Sequence, residues 1–366
     1  MQFAQIQTIP EVVNVLKVLI TGLLAFLLAF SITPLWTHLL YKYKFGIKIK
    51  SKDVNGQKLT FVSQLHAHKS GTPTMGGVIM WATVVILAFS SHFIFPFLAK
   101  LFDINFLARL DFLSRKEVWL PLFALASAGV LGLFDDVMSV RGWGSNKGGG
   151  MRFAMRFGWL IAIASAGGWW FYYKLGWDVL HVPAFGDFSI GLWYVPLFIF
   201  VILFSAVSSN ETDGLDGLNG GVLLLAFFSF AIIAFFENKV NLAAFCAAMS
   251  GVTLAFLWFN IEPARFMMGD TGAMSLGTTL GVVAMLTNSA LVLFLIVFLY
   301  VLESGSVMIQ LFSKKYFHRK VFLAAPLHHH FEAKGWPECK IVMRAWIFTM
   351  MTALVGVVIA IFGMGR

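Results

Sequence analysis

Charge is what this sequence has least of. Asp, Glu, Lys and Arg make up 12% of its 366 residues, against about a quarter in an ordinary soluble domain. With 59% of residues hydrophobic, a water-solvated globule is excluded. Cysteine is nearly absent. The two present, Cys246 in an apolar run and Cys339 in a polar stretch read as a loop, are too few for a disulfide framework or a zinc cage, and both are expected to be free thiols. Low-complexity tracts, internal repeats and linkers are also missing, so one membrane domain over residues 1–366 is expected. No basic stretch precedes the first apolar run, which is long enough to span, so a cleavable signal peptide is not expected.

What is present is a series of long apolar runs. Spanning a hydrocarbon core of ~30 Å takes about 20 apolar residues as a helix. Runs at 16–36, 73–95, 118–134, 157–173, 191–209, 221–236, 242–259, 273–287, 290–312 and 341–363 fit that length or come near it. They lack the alternation of barrel strands, and only helices or closed barrels satisfy their backbone in lipid. The expected fold is therefore an all-α polytopic membrane protein of about ten transmembrane helices.

The net charge of +9 does not require nucleic acid, because the basic residues sort by side. Lys42, Lys44, Lys48, Lys50, Lys52, Lys58 and Lys69 share one face with Arg141, Lys147, Arg152, Arg156, Arg265, Lys314, Lys315, Arg319, Lys320, Lys334 and Lys340. An excess of Lys and Arg marks the cytoplasmic side, which puts both termini outside. The 37–70 cluster could also hold anionic head groups.

The acidic residues gather on the same face. "LFDDV" places Asp135 and Asp136 at the end of the third run, "NETDGLDGLNGG" carries Asn210, Asp213 and Asp216, and "MMGDTG" carries Asp270. Adjacent carboxylates are unfavourable without compensation. They suit a divalent cation or acid–base work, with interfacial solubility as the plainer reading. Asn210, Asp213 and Asp216, three apart, line one face if helical, or else form a glycine-rich turn. Asp270 reads equally well as a helix cap. In "HKSGTPTMGG", Lys69, Ser70, Thr72 and Thr74 stand at the start of the second run, where helix-terminal amides could receive an anion; the order is not that of a Walker A loop. "APLHHHFEAKGWPE" sets His328, His329 and His330 side by side. Consecutive residues do not share a helix face, so a phosphate-facing donor loop is favoured over a metal site. Carboxylates, cations and an adjacent bilayer point to phosphoryl transfer between a soluble donor and a lipid-borne acceptor, with Mg²⁺ the expected metal.

These motifs, with "FLWFNIEPARFMMGDTG", stand in the order found in the phospho-N-acetylmuramoyl-pentapeptide-transferases, and the chain resembles that family from end to end. The family belongs to the polyprenyl-phosphate N-acetylhexosamine-1-phosphate transferase superfamily. The resemblance implies transfer of phospho-MurNAc-pentapeptide from UDP-MurNAc-pentapeptide to undecaprenyl phosphate, giving lipid I and UMP, the first membrane step of peptidoglycan synthesis. It implies Mg²⁺ at Asp270, and Asp135 and Asp136 at the lipid phosphate. Asn210, Asp213 and Asp216 would shape the nucleotide–sugar site, with Lys69, Thr74, Asn260 and His328–His330 around the diphosphate. His328 is also expected among the catalytic residues. A homodimer in the bacterial inner membrane is implied, with the site facing the cytoplasm and a broken ninth span, for which Gly305, after Glu303 and Ser304, is the expected place. The sequence departs from the family in three places: Met267 with Phe266 beside it where a base-stacking Phe is usual, Ala273 for Ser, and Arg156 for Lys. Direct attack by the lipid phosphate is expected, with an aspartyl-phosphate on Asp135 as the competing route. The rival functions are transfer of GlcNAc-1-phosphate to a polyprenyl phosphate and, from another class, transport.

Overall fold

The structure is a computed structural model that describes residues 10–46, 69, 71–144 and 149–364. Lys48, Lys50, Lys52, Lys58, Ser70 and Lys147 of the basic and glycine-rich motifs lie outside the described residues. Helices dominate. In chain order they are α1 (Pro10–Lys42), α2 (Gly77–Leu101, passing through a π-helical turn at Ser90–Ile94), α3 (Trp119–Arg141) and α4 (Phe153–Trp169). A hairpin of β1 (Val179–Val182) and β2 (Gly186–Ser189) follows. Then come α5 (Tyr194–Thr212), α6 (Leu218–Phe236), α7 (Val240–Asn260), α8 (Gly269–Leu286), α9 (Ala290–Ile296), α10 (Phe298–Tyr316), α11 (Leu327–Ala333) and α12 (Glu338–Gly363).

Seven of the described helices are long and apolar enough to cross a membrane, and the α9–α10 pair makes up to eight. The two other expected spans fall on α4 and α8. α4 has 17 residues and continues through a π-helical turn at Trp170–Lys174, a length within the range of a crossing, but it is not one of the seven. α8 is buried on every side from Thr271 to Leu286, so it faces protein rather than lipid and tolerates Ser275, Thr278 and Thr279. The antiparallel hairpin, with Val179 opposite Ser189, was not expected from the sequence. It is too short to leave a periodic signature.

Helix α7 forms the centre of one half, packed on α1, α6 and α2, while α8 sits between α3, α5 and α2 in the other. Glycines set these close crossings, as small residues do wherever apolar helices approach in lipid. A Cβ on Gly77 would lie 2.2 Å from the Gly272 Cα, and one on Gly132 would lie 2.5 Å from the Thr271 Cα. Both crossings pin the N-terminal turn of α8.

The span expected as the ninth breaks, but not at Gly305. α9 and α10 meet at 84° across Val297, whose φ of −105° and ψ of 42° leave the helical region without any Gly or Pro. Gly305 continues α10 undisturbed. α10 is turned so that Met308, Leu311 and Phe312 are exposed while Glu303, Ser306, Gln310 and Ser313 face inward. There Gln310 clasps the chain beyond the helix, accepting from the Val321 and Phe322 amides and donating to the Phe322 carbonyl.

Candidate active site

The C-terminal ends of α3 and α5 and the N-terminal ends of α8 and α12 converge at one pole of the bundle. The outer ends of α1 and α12 lie at the other pole, where Lys17 binds the Asp111 carbonyl and Gly363 approaches His181.

The first amides of α8 have no intrahelical acceptor, and Asp136 supplies one from α3. Its Oδ1 accepts from the Asp270 amide at 3.2 Å and its Oδ2 from the Thr271 amide at 3.0 Å. A carboxylate at the positive end of a helix dipole is well placed. Asp136, expected at the lipid phosphate, is thus engaged as a cap. The approach requires Gly269, with φ +75°: a Cβ there would lie 2.6 Å from both Asp136 Oδ2 and Thr74 Oγ1.

Asp270 projects from the same turn. Its Oδ1 accepts from Asn210 Nδ2 at 2.5 Å, and its Oδ2 accepts from Arg156 Nη1 at 2.6 Å. The same guanidinium nitrogen is 3.2 Å from Asp135 Oδ2, while Asp135 Oδ1 accepts from the Met151 amide. One arginine therefore neutralises two carboxylates from different helices. It also lines a cavity of about 200 Å³ between α4, α5 and α8, whose other walls include Phe153, Phe157, Leu160, Ala206 and Met274.

Asp213, just past α5, links this cluster to a second one. Burial, with the nearby Asp270 charge adding, pushes its carboxyl up to about 7, against a backbone hydrogen bond from Gly269. In the second cluster Lys69 Nζ lies 2.7 Å from Asp216 Oδ1 and 2.6 Å from Glu338 Oε1. Burial alone would lower the Lys69 pKa, but its hydrogen bonds to Asp216 and Glu338 outweigh that and hold it above the usual value. Asp216 also accepts from the Ala264 amide, and its own amide donates to Glu338.

The histidines occupy helix α11 rather than a loop, and they splay as consecutive helical residues must. His328 is buried, with Nδ1 3.1 Å from Glu303 Oε2. Its Nε2 has no hydrogen-bond partner among the described residues and faces Gly214, where a Cβ would lie 2.4 Å away. His328 therefore packs beneath the 213–217 loop. His329 pairs with Glu332 at 2.6 Å, and His330 Nδ1 accepts from the Leu323 amide. Desolvation and Lys334 depress the His330 pKa.

Three further expectations change. Asn260 is a buried clip that accepts from the Gly217 amide and donates to the Phe266 carbonyl, joining two site loops. Phe266 is fully buried against Phe256 and Phe259 and offers no face to a base. The α2 amides are not open to an anion, because Gly76 and Gly77 donate to the Met267 and Met268 carbonyls. Of that motif, Lys69 and Thr74 are what reach the site. Cys246 and Cys339 are both free, with Cys339 in the first turn of α12 instead of a loop.

Sequence reading passed over Glu303, Glu332 and Glu338. The signal for two of them lay in "HHHFEAKGWPE", where carboxylates follow the histidines; the third was a lone acid inside an apolar run.

Among the described residues no three His, Cys, Asp or Glu side chains form a ready metal cage. Two carboxylate oxygens, Asp135 Oδ2 and Asp270 Oδ2, nevertheless converge on one cation. Mg²⁺ binds through one or two carboxylates, with phosphate and water completing its octahedron, so this donor set fits that ion.

Helices of this length, with a charged cluster at one pole, define a polytopic membrane protein. Residues 118–288, from before α3 to the end of α8, match the profile of Glycosyl transferase family 4, and residues 69–79 match the phospho-N-acetylmuramoyl-pentapeptide-transferase signature 1. Relatives bearing that transferase name include proteins of Chloroflexus aggregans, 35% identical over 95% of this chain and 90% of the relative, and of Bartonella quintana, 38% identical over 80% and 81%. A third, from Clostridium novyi, is 32% identical over 91% and 94%. The chain belongs to the phospho-N-acetylmuramoyl-pentapeptide-transferase family.

Proposed function

We propose that this protein transfers phospho-MurNAc-pentapeptide from UDP-MurNAc-pentapeptide to undecaprenyl phosphate, giving lipid I and UMP, as a Mg²⁺-dependent enzyme. The observation that carries the reading is the convergence of Asp135, Asn210, Asp213, Asp270 and Arg156 at one pole, beside a cavity whose walls are mostly apolar, with Asn210 and Glu211 among them. A lipid phosphate needs that combination: apolar surface for the chain and cations for the head.

Asp270 and Asp135 would hold the magnesium, which supplies charge neutralisation to the diphosphate when bound. A phosphate monoester has its second pKa near 6, so the acceptor arrives mostly dianionic and needs little deprotonation. Positioning then dominates, as in other phosphoryl transfers. Arg156 orients the acceptor phosphate for attack on the β-phosphorus, the bond to UMP breaks, and UMP leaves with the electron pair. Asn210 fixes the Asp270 rotamer, and Asp136 fixes the turn that carries Asp270. Lys69, Thr74, His329 and His330 face the diphosphate and sugar, while His328 and Asn260 brace the loops around them. Asp213 and Asp216 shape the nucleotide–sugar side.

The same reading places ten spans in a bacterial inner membrane, both termini outside and the charged pole in the cytoplasm, supported by the sorting of Lys and Arg. A homodimer rests on the family resemblance. Incubation of the purified protein with labelled UDP-MurNAc-pentapeptide and undecaprenyl phosphate should move label into the lipid phase. Preferential transfer from UDP-N-acetylglucosamine would point to the rival sugar transferase, and no transfer from either donor would reject the reading.

A further inference from the structure

We infer that Arg156 is an internal counter-cation that must release Asp135 and Asp270 before a divalent metal can bind, so that metal entry frees the arginine for the acceptor phosphate. This rests on the proposed metal role of Asp270 and adds what happens in its absence.

The oxygens of the three carboxylates are engaged differently. Asp136 gives both of its oxygens to the α8 amides. Asp135 Oδ1 is taken by Met151 and Asp270 Oδ1 by Asn210. The two that remain, Asp135 Oδ2 and Asp270 Oδ2, both touch Arg156 Nη1. A metal bridging these two carboxylates would sit where Arg156 Nη1 now lies, 3.2 and 2.6 Å from the two oxygens, and one position cannot hold both cations. Without either cation the adjacent carboxylates would repel, so the guanidinium keeps the pocket assembled.

Arg156 also has somewhere to go. It stands on the first turn of α4 and lines the 200 Å³ cavity between α4, α5 and α8. A guanidinium released there would meet a phosphate that enters with an apolar tail. By linkage, metal and phosphate then bind cooperatively. The arginine thus specifies an order as well as a charge.

Mn²⁺ binding to the full-length protein in detergent, without either substrate, tests this by the loss of the free-ion resonance signal. The Arg156→Gln protein should bind Mn²⁺ roughly tenfold tighter than wild type, and its melting temperature should rise more on Mn²⁺ addition, because its metal-free state lacks the counter-ion. Arg156→Lys, which keeps the charge and should fold, is expected between the two. Equal or weaker Mn²⁺ binding in both variants, with Asp270→Asn abolishing it in the wild-type background, overturns the exchange and spares the metal site. Binding that is unaffected by Asp270→Asn overturns the metal assignment and the exchange with it.

Discussion

Glu338 and Lys69 lie 269 residues apart in the chain yet meet at 2.6 Å. Because Lys69 is buried and pairs with Asp216 as well, Glu338 sets how firmly Lys69 is held against α12. Replacing Glu338 with Ala leaves the Asp216 amide without its acceptor, a loss of about 1–3 kcal/mol. Glu338→Gln, which keeps an oxygen there, should lose less, and melting temperatures of the two variants check the order. Asp213 gives a pH signature. Its folded pKa of about 7 exceeds an unfolded value of about 3.9, so the native state binds the extra proton between those values. Stability should therefore fall as pH rises from about 4 to about 7. Asp213→Asn should flatten that limb of a melting-temperature profile, and an unchanged slope would reject the assignment. At Asp135, direct attack by the lipid phosphate predicts that Asp135→Asn keeps measurable turnover. A trapped phospho-aspartate in the wild type, or zero turnover in a folded variant, favours the covalent route.

Among the elements, the N-terminus of α8 carries the largest burden. It places Asp270, receives Asp136, and is pinned by Gly77 and Gly132. Gly269→Ala would drive a Cβ toward Asp136 Oδ2 and Thr74 Oγ1 at a positive φ that alanine rarely adopts. The expected result is loss of most activity with helical circular dichroism retained; full activity would show that the cap geometry is dispensable. Helix existence was readable from apolar run length, since lipid enforces it. The carboxylate clusters were readable too, because charge is rare enough in this chain to be conspicuous. The bend at Val297 was not, because nothing in "LIVFL" differs from a continuous helix. Gly305 attracted attention through composition while its neighbours kept it helical. The histidines show the same limit: their spacing excluded a shared face, but only the fold shows His328 turned under Gly214 and locked by Glu303.

For the whole molecule, the packing of the helices returns every acidic motif to one pole while the described ends of α1 and α12 go to the other. Sequence alone placed the motifs on one side. It could not reveal that Asp136 and Asn260 hold the scaffold while Arg156 bridges the two carboxylates. The account makes the charged pole a meeting place for two substrates from different phases. The most direct measurement is UMP release by the purified protein from UDP-MurNAc-pentapeptide, with and without polyprenyl phosphate and Mg²⁺. Release that requires all three components together is the predicted result. UMP formed at the same rate without the lipid, or without the metal, would contradict it.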